Sequence, residues 1–149
     1  MKKRFNMGRI QPAAYKAMDA LDQFVGQSAI DPWQQELIRI RASYINGCAY
    51  CVHAHTSDAI KLGVSAEKTA LISVWKEAGN IFNEEEQLLL AMTEEITLIH
   101  RQGLSDELFD RSVALFGEVK TAQIIMVIIT INAWNRIGVG LNMHPVIHA

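Results

Sequence analysis

The two cysteines of this chain lie three residues apart, in the segment NGCAYCVHAH at residues 46–55. The Asn-Gly step in that segment is typical of a break between helices, so we expect a helix to begin at about Cys48. On this helix Cys48, Cys51 and His55 stand at positions i, i+3 and i+7 and share one face. Cα atoms three residues apart on a helix are separated by about 5 Å, which suits an unstrained disulfide. The spacing predicts a thiol pair that closes and reopens, with a histidine one turn beyond Cys51 to move a proton.

The residues alone leave open which thiol reacts first. A cysteine at a helix start lies among free N–H groups, which can lower a thiol pKa from about 8.5 to between about 3.5 and 7.5. Cys48 is therefore expected to be the more exposed and more acidic thiol. His55, four residues after Cys51, instead favours Cys51 as the attacking thiol. His53 lies on a different face and is not expected to act directly.

Two other interpretations of the cysteine segment are weighed against redox chemistry. The pair could simply be buried and unreactive. A structural zinc site needs about four ligands. Cys48, Cys51 and His55 would supply three, with Glu36 or His53 as the fourth, but the usual distant second ligand pair is absent. The isolated pair and the histidine in register favour redox chemistry, with no metal and no cofactor.

Composition narrows the class of protein. The chain has 149 residues, which predicts one domain spanning residues 1–149. Half of the residues are apolar, and the formal net charge is -2, so neither nucleic acid nor a membrane surface is an expected partner. Two cysteines are too few for a secreted disulfide scaffold, and the basic start MKKR is not followed by a continuous apolar stretch. We therefore expect a cytoplasmic protein.

Capping signals and helical periodicity divide the chain into about seven helices and predict an all-α bundle. Asp31, Ser65, Asn83 and Ser105 are expected N-caps, and glycines mark several helix ends. No paired strand signals are present. The predicted helices cover residues 11–26, 31–45, 48–62, 66–78, 84–101, 106–116 and 119–140.

The most apolar stretch, residues 124–141, is rich in β-branched residues but has no strand to pair with. Asn132, Asn135 and Arg136 would be costly in lipid, so we interpret the stretch as a buried helix rather than a membrane span. Such a helix packs in a core or against another subunit, which predicts a homo-oligomer. We expect packing roles, rather than a place in a substrate cleft, for Trp134, Asn135 and Arg136. We expect ion pairs for the two arginines that follow Glu36, Arg39 and Arg41.

The stretch ELIRIRASYINGCAYCVHAHT, residues 36–56, resembles the AhpD-like alkylhydroperoxidases of the carboxymuconolactone decarboxylase family. The signature of that family is a glutamate, eleven residues, C-x-x-C, three residues and a histidine, which Glu36, Cys48, Cys51 and His55 match. LSDELFD and INAWNRIGVGL extend the resemblance to roughly residues 10–142. It implies an all-helical, oligomeric AhpD-like domain. Without it, Glu36 would be interpreted as a solvated charge.

The resemblance also implies a function and a role for each residue. Cys51 would attack a hydroperoxide, Cys48 would resolve the sulfenic acid into a disulfide, and His55 with Glu36 would relay the proton. The reductant would be a lipoyl-bearing or thioredoxin-like dithiol protein. Tyr50 replaces a histidine that some members carry, so the role of that histidine is absent or altered. The intact C-x-x-C argues against decarboxylation, and a disulfide reductase or redox-sensing module remains the alternative.

Overall fold

The computed structural model describes residues 2–147, which fold into seven α-helices without a β-strand. Two 3₁₀ segments, Ile72–Glu77 and Gly79–Ile81, link the fifth and sixth helices. The helices are α1 (Met7–Ile10), α2 (Pro12–Gly26), α3 (Pro32–Asn46), α4 (Ala49–Lys61), α5 (Ala66–Leu71), α6 (Glu84–Thr97) and α7 (Asp106–Gly140). The all-α prediction is confirmed.

Four predicted caps begin four of these helices. The side chains of Asp31, Ser65, Asn83 and Ser105 each accept a hydrogen bond from a backbone N–H in the first turn of α3, α5, α6 and α7. Asn83 also forms a full capping box, because the Glu86 side chain accepts from the N–H of Asn83. Each cap satisfies N–H groups that have no partner inside the helix, which fixes where the helix starts.

Helix α3 lies at the centre of the bundle and packs against α4, α6 and α7. Its side chains are consequently buried on most faces, including polar ones such as Glu36. This central position explains why a glutamate that looks solvated in sequence faces another helix. The fully buried apolar side chains of α3, α6 and α7 include Leu37, Ile38, Ile40, Leu89, Leu90, Met92, Ile124, Val127 and Ile128.

Two predicted helix ends are wrong. The helix expected over 66–78 changes from α to 3₁₀ after Leu71, and Val74 there leaves helical φ/ψ. The carbonyls of Ile72 and Ser73 accept hydrogen bonds from Arg41 Nη1. The helix expected to reach residue 101 ends at Thr97. The Glu95 carboxylate there accepts hydrogen bonds from Ser105, the N-cap of α7, and so joins the end of α6 to the start of α7.

Helix α7 is interrupted at Gly117, in the gap predicted between two helices. Gly117 has φ 78° and ψ 163°, a backbone conformation that glycine adopts without strain. The hydroxyls of Ser112 and Thr121 are hydrogen-bonded across the bend at 3.0 Å. The β-branched stretch after the bend is helical as predicted, because burial against α3 and α6 outweighs its strand propensity.

Length and composition alone would allow α7 to cross a membrane, with a mean hydropathy of 1.7 in its most apolar window. A core helix of a soluble protein passes the same test. The side chains of Asn132 and Asn135 donate to Thr97 on α6 and Ser43 on α3, so both amides are satisfied inside the bundle. These contacts support the interpretation of α7 as a bundle helix.

Candidate functional site

The turn between α3 and α4 places both cysteines. Gly47 ends α3 in the left-handed conformation (φ 67°, ψ 31°), and its N–H is bonded to the carbonyls of Ser43 and Tyr44. Cys48 follows as the N-cap of α4, with its own N–H bonded to the Ser43 carbonyl at 3.0 Å. The chain therefore reverses tightly, and α4 packs along α3.

Cys48 and Cys51 form a disulfide, with their Cα atoms 5.3 Å apart. The Cys51 N–H donates to Cys48 Sγ at 3.3 Å, so the sulfur occupies the capping position that an oxygen usually takes. The distance between the Cα atoms agrees with the spacing expected from sequence.

The expectation that Cys48 is the more exposed thiol is wrong. Cys48 is 1% exposed and Cys51 is 5% exposed. The cause is Gly138 on α7: a Cβ atom at that position would lie 2.9 Å from Cys48 Sγ and 3.4 Å from Cys51 Sγ. The bare glycine backbone thus lets α7 cover the pair closely.

Glu36 on α3 and His55 on α4 face each other across the two helices. Glu36 Oε2 lies 2.8 Å from His55 Nδ1, and Glu36 Oε1 lies 2.5 Å from Arg39 Nη1. A carboxylate only accepts hydrogen bonds, so this contact places a proton on Nδ1 and leaves Nε2 of the neutral ring without one. The ring is thereby prepared to act as a base at Nε2. Arg39 also reaches Asp22 Oδ1 on α2, at 3.4 Å.

Cys51 and His55 both line a cavity of about 260 Å³. Cys48 is not among the residues that line it. The floor and walls combine α2, α3, α4 and α7, and the apolar part consists of Ala54, Ile131, Trp134, Ile137, Gly138 and Met143. The polar part comprises Tyr15, Asp19, Asp22, Arg39 and Tyr50. The cavity can admit a small organic molecule to Cys51.

Tyr15 forms part of the cavity wall contributed by α2. Its ring packs edge-on against Trp134 with the centroids 5.0 Å apart. Burial, followed by the charge of Asp19 and the neighbouring Tyr50, raises the pKa of Tyr15 above 10.0. Its phenol therefore stays protonated to a higher pH than that of an ordinary tyrosine.

Amide side chains attach the turn between α3 and α4 to α7. Asn46 Nδ2 donates to Asn132 Oδ1 at 3.0 Å and to Asn135 Oδ1 at 2.9 Å. Asn135 Nδ2 donates in turn to Ser43 Oγ at 3.0 Å. Arg136 donates to the carbonyl and side chain of Asn132. Asn135 and Arg136 thus serve packing as expected, whereas Trp134 lines the cavity.

The ligand atoms of Glu36, His55 and Asp58 lie within 4.8 Å of one another, a grouping that could hold a metal ion. Each carboxylate already has a cationic partner: Arg39 for Glu36, and Lys61 for Asp58 at 2.6 Å. These ion pairs satisfy the acidic groups without a metal.

The structure therefore brings together the four residues singled out from sequence and adds three that the sequence did not identify with the site. Arg39 was expected only as an ion-pair partner, which it is. Gly138 and Tyr15 come from distant helices, and no local pattern marks them. The nearest signal for Gly138 was its position in the INAWNRIGVGL segment that carries part of the resemblance.

Comparison with known proteins agrees with the helical bundle and the C-x-x-C pair described above. The profile of the carboxymuconolactone decarboxylase family matches residues 12–95. The uncharacterised protein YdfG of Bacillus subtilis (strain 168) is 35% identical over 141 residues, which cover 95% of each chain.

Two solved structures share the fold. An Agrobacterium tumefaciens protein of unknown function, described as a candidate AhpD antioxidant-defence protein, is 37% identical with a TM-score of 0.93, covering 98% of this chain and 100% of its own. An uncharacterised peroxidase-related protein from Ralstonia eutropha JMP134, described as an alkylhydroperoxidase AhpD core, is 16% identical with a TM-score of 0.82, covering 94% of this chain and 74% of its own. The second likeness bears on the fold alone. With its matching profile, its relatives and its helical bundle around a C-x-x-C pair, the chain belongs to the carboxymuconolactone decarboxylase family and has the AhpD-like fold.

Proposed function

We propose that this protein is a thiol-dependent peroxidase that reduces organic hydroperoxides through its Cys48–Cys51 pair. One observation carries the proposal. The bonded pair lies beside a cavity that Cys51 shares with His55, and Glu36 holds the ring of His55 at 2.8 Å. The antioxidant-defence description of the Agrobacterium relative, which is 37% identical, agrees with it.

The cycle needs only these side chains and an external dithiol. His55 takes the proton of the Cys51 thiol, and the thiolate attacks the terminal oxygen of ROOH. The O–O bond breaks, Cys51 becomes a sulfenic acid, and the leaving alkoxide takes the proton from His55 to give ROH. The Cys48 thiol then attacks the Cys51 sulfur, and the OH group leaves with the Cys48 proton as water. The dithiol restores both thiols and becomes a disulfide itself.

The surroundings of the two sulfurs support Cys51 as the attacking residue. Cys51 lines the cavity, whereas Cys48 is covered by Gly138 and caps α4. A peroxide in the cavity would meet Cys51 first. Cys48 is within bonding distance of Cys51 but does not line the cavity, as suits a resolving thiol.

The proposal extends to partners and surroundings. The reductant is a dithiol protein, lipoyl-bearing or thioredoxin-like, and the cycle uses neither metal nor cofactor. A cytoplasmic location suits a thiol that must be reduced after each turnover. A second copy of the chain is the proposed cover for apolar side chains that α7 leaves exposed, namely Phe109, Leu115, Val119, Ile129 and Val139.

Steady-state consumption of tert-butyl hydroperoxide with dihydrolipoamide as reductant tests the proposal. We expect turnover by the native protein, none by Cys51→Ser, and a strongly reduced rate for His55→Ala. His53→Ala is the matched control, because His53 is an exposed histidine on the same helix. Equal rates for the native protein and Cys51→Ser would refute the proposal.

The close approach of α7 to both sulfurs at Gly138 favours a second candidate, a redox-sensing module. Opening the disulfide would change the packing of α7 on the pair and pass the redox state to the rest of the bundle. A sensor would be oxidised once by peroxide and then stop, even with dithiol in excess. Sustained turnover in the assay above therefore distinguishes the peroxidase from the sensor.

A further inference from the structure

We propose that Arg39 is a positioning residue for the Glu36–His55 pair, holding Glu36 and Asp22 at the same time so that Glu36 can orient the His55 ring. The inference rests on the proposed peroxidase function for its catalytic meaning. Its geometry stands independently of that function.

Both oxygens of the Glu36 carboxylate are engaged, each by a different partner. Oε1 is 2.5 Å from Arg39 Nη1 and Oε2 is 2.8 Å from His55 Nδ1. The Glu36 side chain is only 8% exposed, so water cannot readily replace either contact. Rotation of the carboxylate would break the Arg39 contact and the His55 contact together. Arg39 therefore fixes the direction from which Glu36 reaches His55.

The second guanidinium nitrogen of Arg39 ties this arrangement to another helix. Arg39 Nη2 lies 3.4 Å from Asp22 Oδ1 on α2, and the Arg39 side chain is 13% exposed. A guanidinium presents its donors in a planar fork, so it can face two carboxylates in fixed directions; an ammonium is a single point charge. Because Asp22 and Arg39 both line the cavity beside Cys51, the same fork also fixes part of the cavity wall.

The consequence for His55 is a fixed tautomer. Glu36 accepts the proton on Nδ1, which leaves Nε2 free to take the proton of a thiol. Once Arg39 no longer holds Oε1 of Glu36, the carboxylate can rotate away from His55. The imidazole ring then loses the hydrogen bond that fixes its orientation and its tautomer. Small displacements of this kind can lower a rate by about 100-fold.

Arg41 supplies a matched control on the same helix. Its side chain is 16% exposed and pairs with Glu94 at 2.7 Å, so it resembles Arg39 in burial and in charge compensation. Arg41 does not line the Cys51 cavity. Arg39→Met and Arg41→Met thus remove the same group from the same helix, one beside the site and one away from it.

The first measurement is the single-turnover oxidation of the reduced protein by tert-butyl hydroperoxide. We expect Arg39→Met to react about 10- to 100-fold more slowly than the native protein, and Arg41→Met to react at the native rate despite a similar fall in melting temperature. Equal rates for the two variants would overturn the inference.

The second measurement is independent of peroxide turnover. The ¹⁵N chemical shifts of the His55 ring report which nitrogen carries the proton. We expect the Nδ1–H tautomer in the native protein and in Arg41→Met, and a mixture of tautomers in Arg39→Met. A native His55 spectrum in Arg39→Met would overturn the inference. If the native protein fails to react with peroxide, the proposed function falls and this spectrum alone decides the role of Arg39.

Arg39→Lys keeps the test decisive if Arg39→Met does not fold. Lysine retains the charge but cannot present the planar fork to both carboxylates. We expect a rate about threefold to tenfold below native at a nearly unchanged melting temperature. If Arg39→Lys has the native oxidation rate and the native His55 spectrum, the planar guanidinium is not needed to hold Glu36 and Asp22, and the inference is contradicted.

Discussion

Gly138 offers a sharp test of how α7 covers the disulfide. In Gly138→Ala the new Cβ atom would lie 2.9 Å from Cys48 Sγ and 3.4 Å from Cys51 Sγ. A contact of 2.9 Å is shorter than van der Waals packing allows, so α7 or the α3–α4 turn must shift. Overpacking of this kind costs about 1–3 kcal/mol in the free energy of unfolding.

A second glycine of the same helix isolates that cost. A Cβ atom added at Gly140 would meet nothing within 4 Å, so Gly140→Ala places a methyl group in open space. Gly138 and Gly140 both lie in the last turn of α7, so each substitution gains less helix propensity than the value of about 1 kcal/mol that applies in a helix interior. This gain largely cancels when the free energies of unfolding of the two variants are compared. The difference between them is then the packing cost at Gly138. For a chain of this size, about 1–3 kcal/mol corresponds to a melting temperature lower by about 2 to 12 °C in Gly138→Ala than in Gly140→Ala.

The assay is thermal unfolding of both variants with the disulfide formed. Calorimetry or circular dichroism monitors the transition. Oxidised Gly138→Ala should melt clearly below oxidised Gly140→Ala. Equal melting temperatures would refute the close cover of the sulfurs by α7, and with it the physical reason given for the burial of Cys48.

Other expected outcomes address the relay, the buried contacts and the cavity. Glu36→Gln should slow single-turnover oxidation by hydroperoxide about 10- to 100-fold, because the amide no longer provides a carboxylate for His55; an unchanged rate would exclude the relay. Burial raises the pKa of Glu86, but hydrogen bonds from partners including Lys68 outweigh this and hold it below 4.5. Its contribution to stability is therefore complete above about pH 4.5 and is lost as the pH falls through the lower folded value, so acid titration of unfolding should be shallower in Glu86→Gln. Asn135→Ala should lower the free energy of unfolding by about 1–3 kcal/mol in urea denaturation, since it leaves buried partners unsatisfied. Tyr15→Phe should remove a phenol that ionises above pH 10.0 in an ultraviolet titration.

Local signals predicted most of the fold. Asp31, Ser65, Asn83 and Ser105 mark helix starts by a short-range hydrogen bond, and that interaction is encoded within one turn of chain. The helix ends at Thr97 and before the 3₁₀ segment do not follow from local sequence, because each is accompanied by a hydrogen bond to a residue outside the helix concerned. Arg41 and Ser105 supply those contacts, and no local pattern announces them.

The candidate site divides in the same way. Cys48, Cys51 and His55 could be grouped from spacing on one helix. Glu36 required the family resemblance, because its burial results from the central position of α3 rather than from its neighbours in sequence. The burial of Cys48 does not follow from its position at a helix start, because Gly138 approaches it from a segment 90 residues later in the chain.

The most direct test of the central claim is to identify the sulfur that first carries oxygen. Reduced Cys48→Ser and Cys51→Ser are treated with one equivalent of tert-butyl hydroperoxide and then with dimedone, and peptide mass spectrometry locates the adduct. We predict a dimedone adduct on Cys51 in Cys48→Ser and essentially none on Cys48 in Cys51→Ser. An adduct that forms faster on Cys48, or on neither cysteine, would contradict the account.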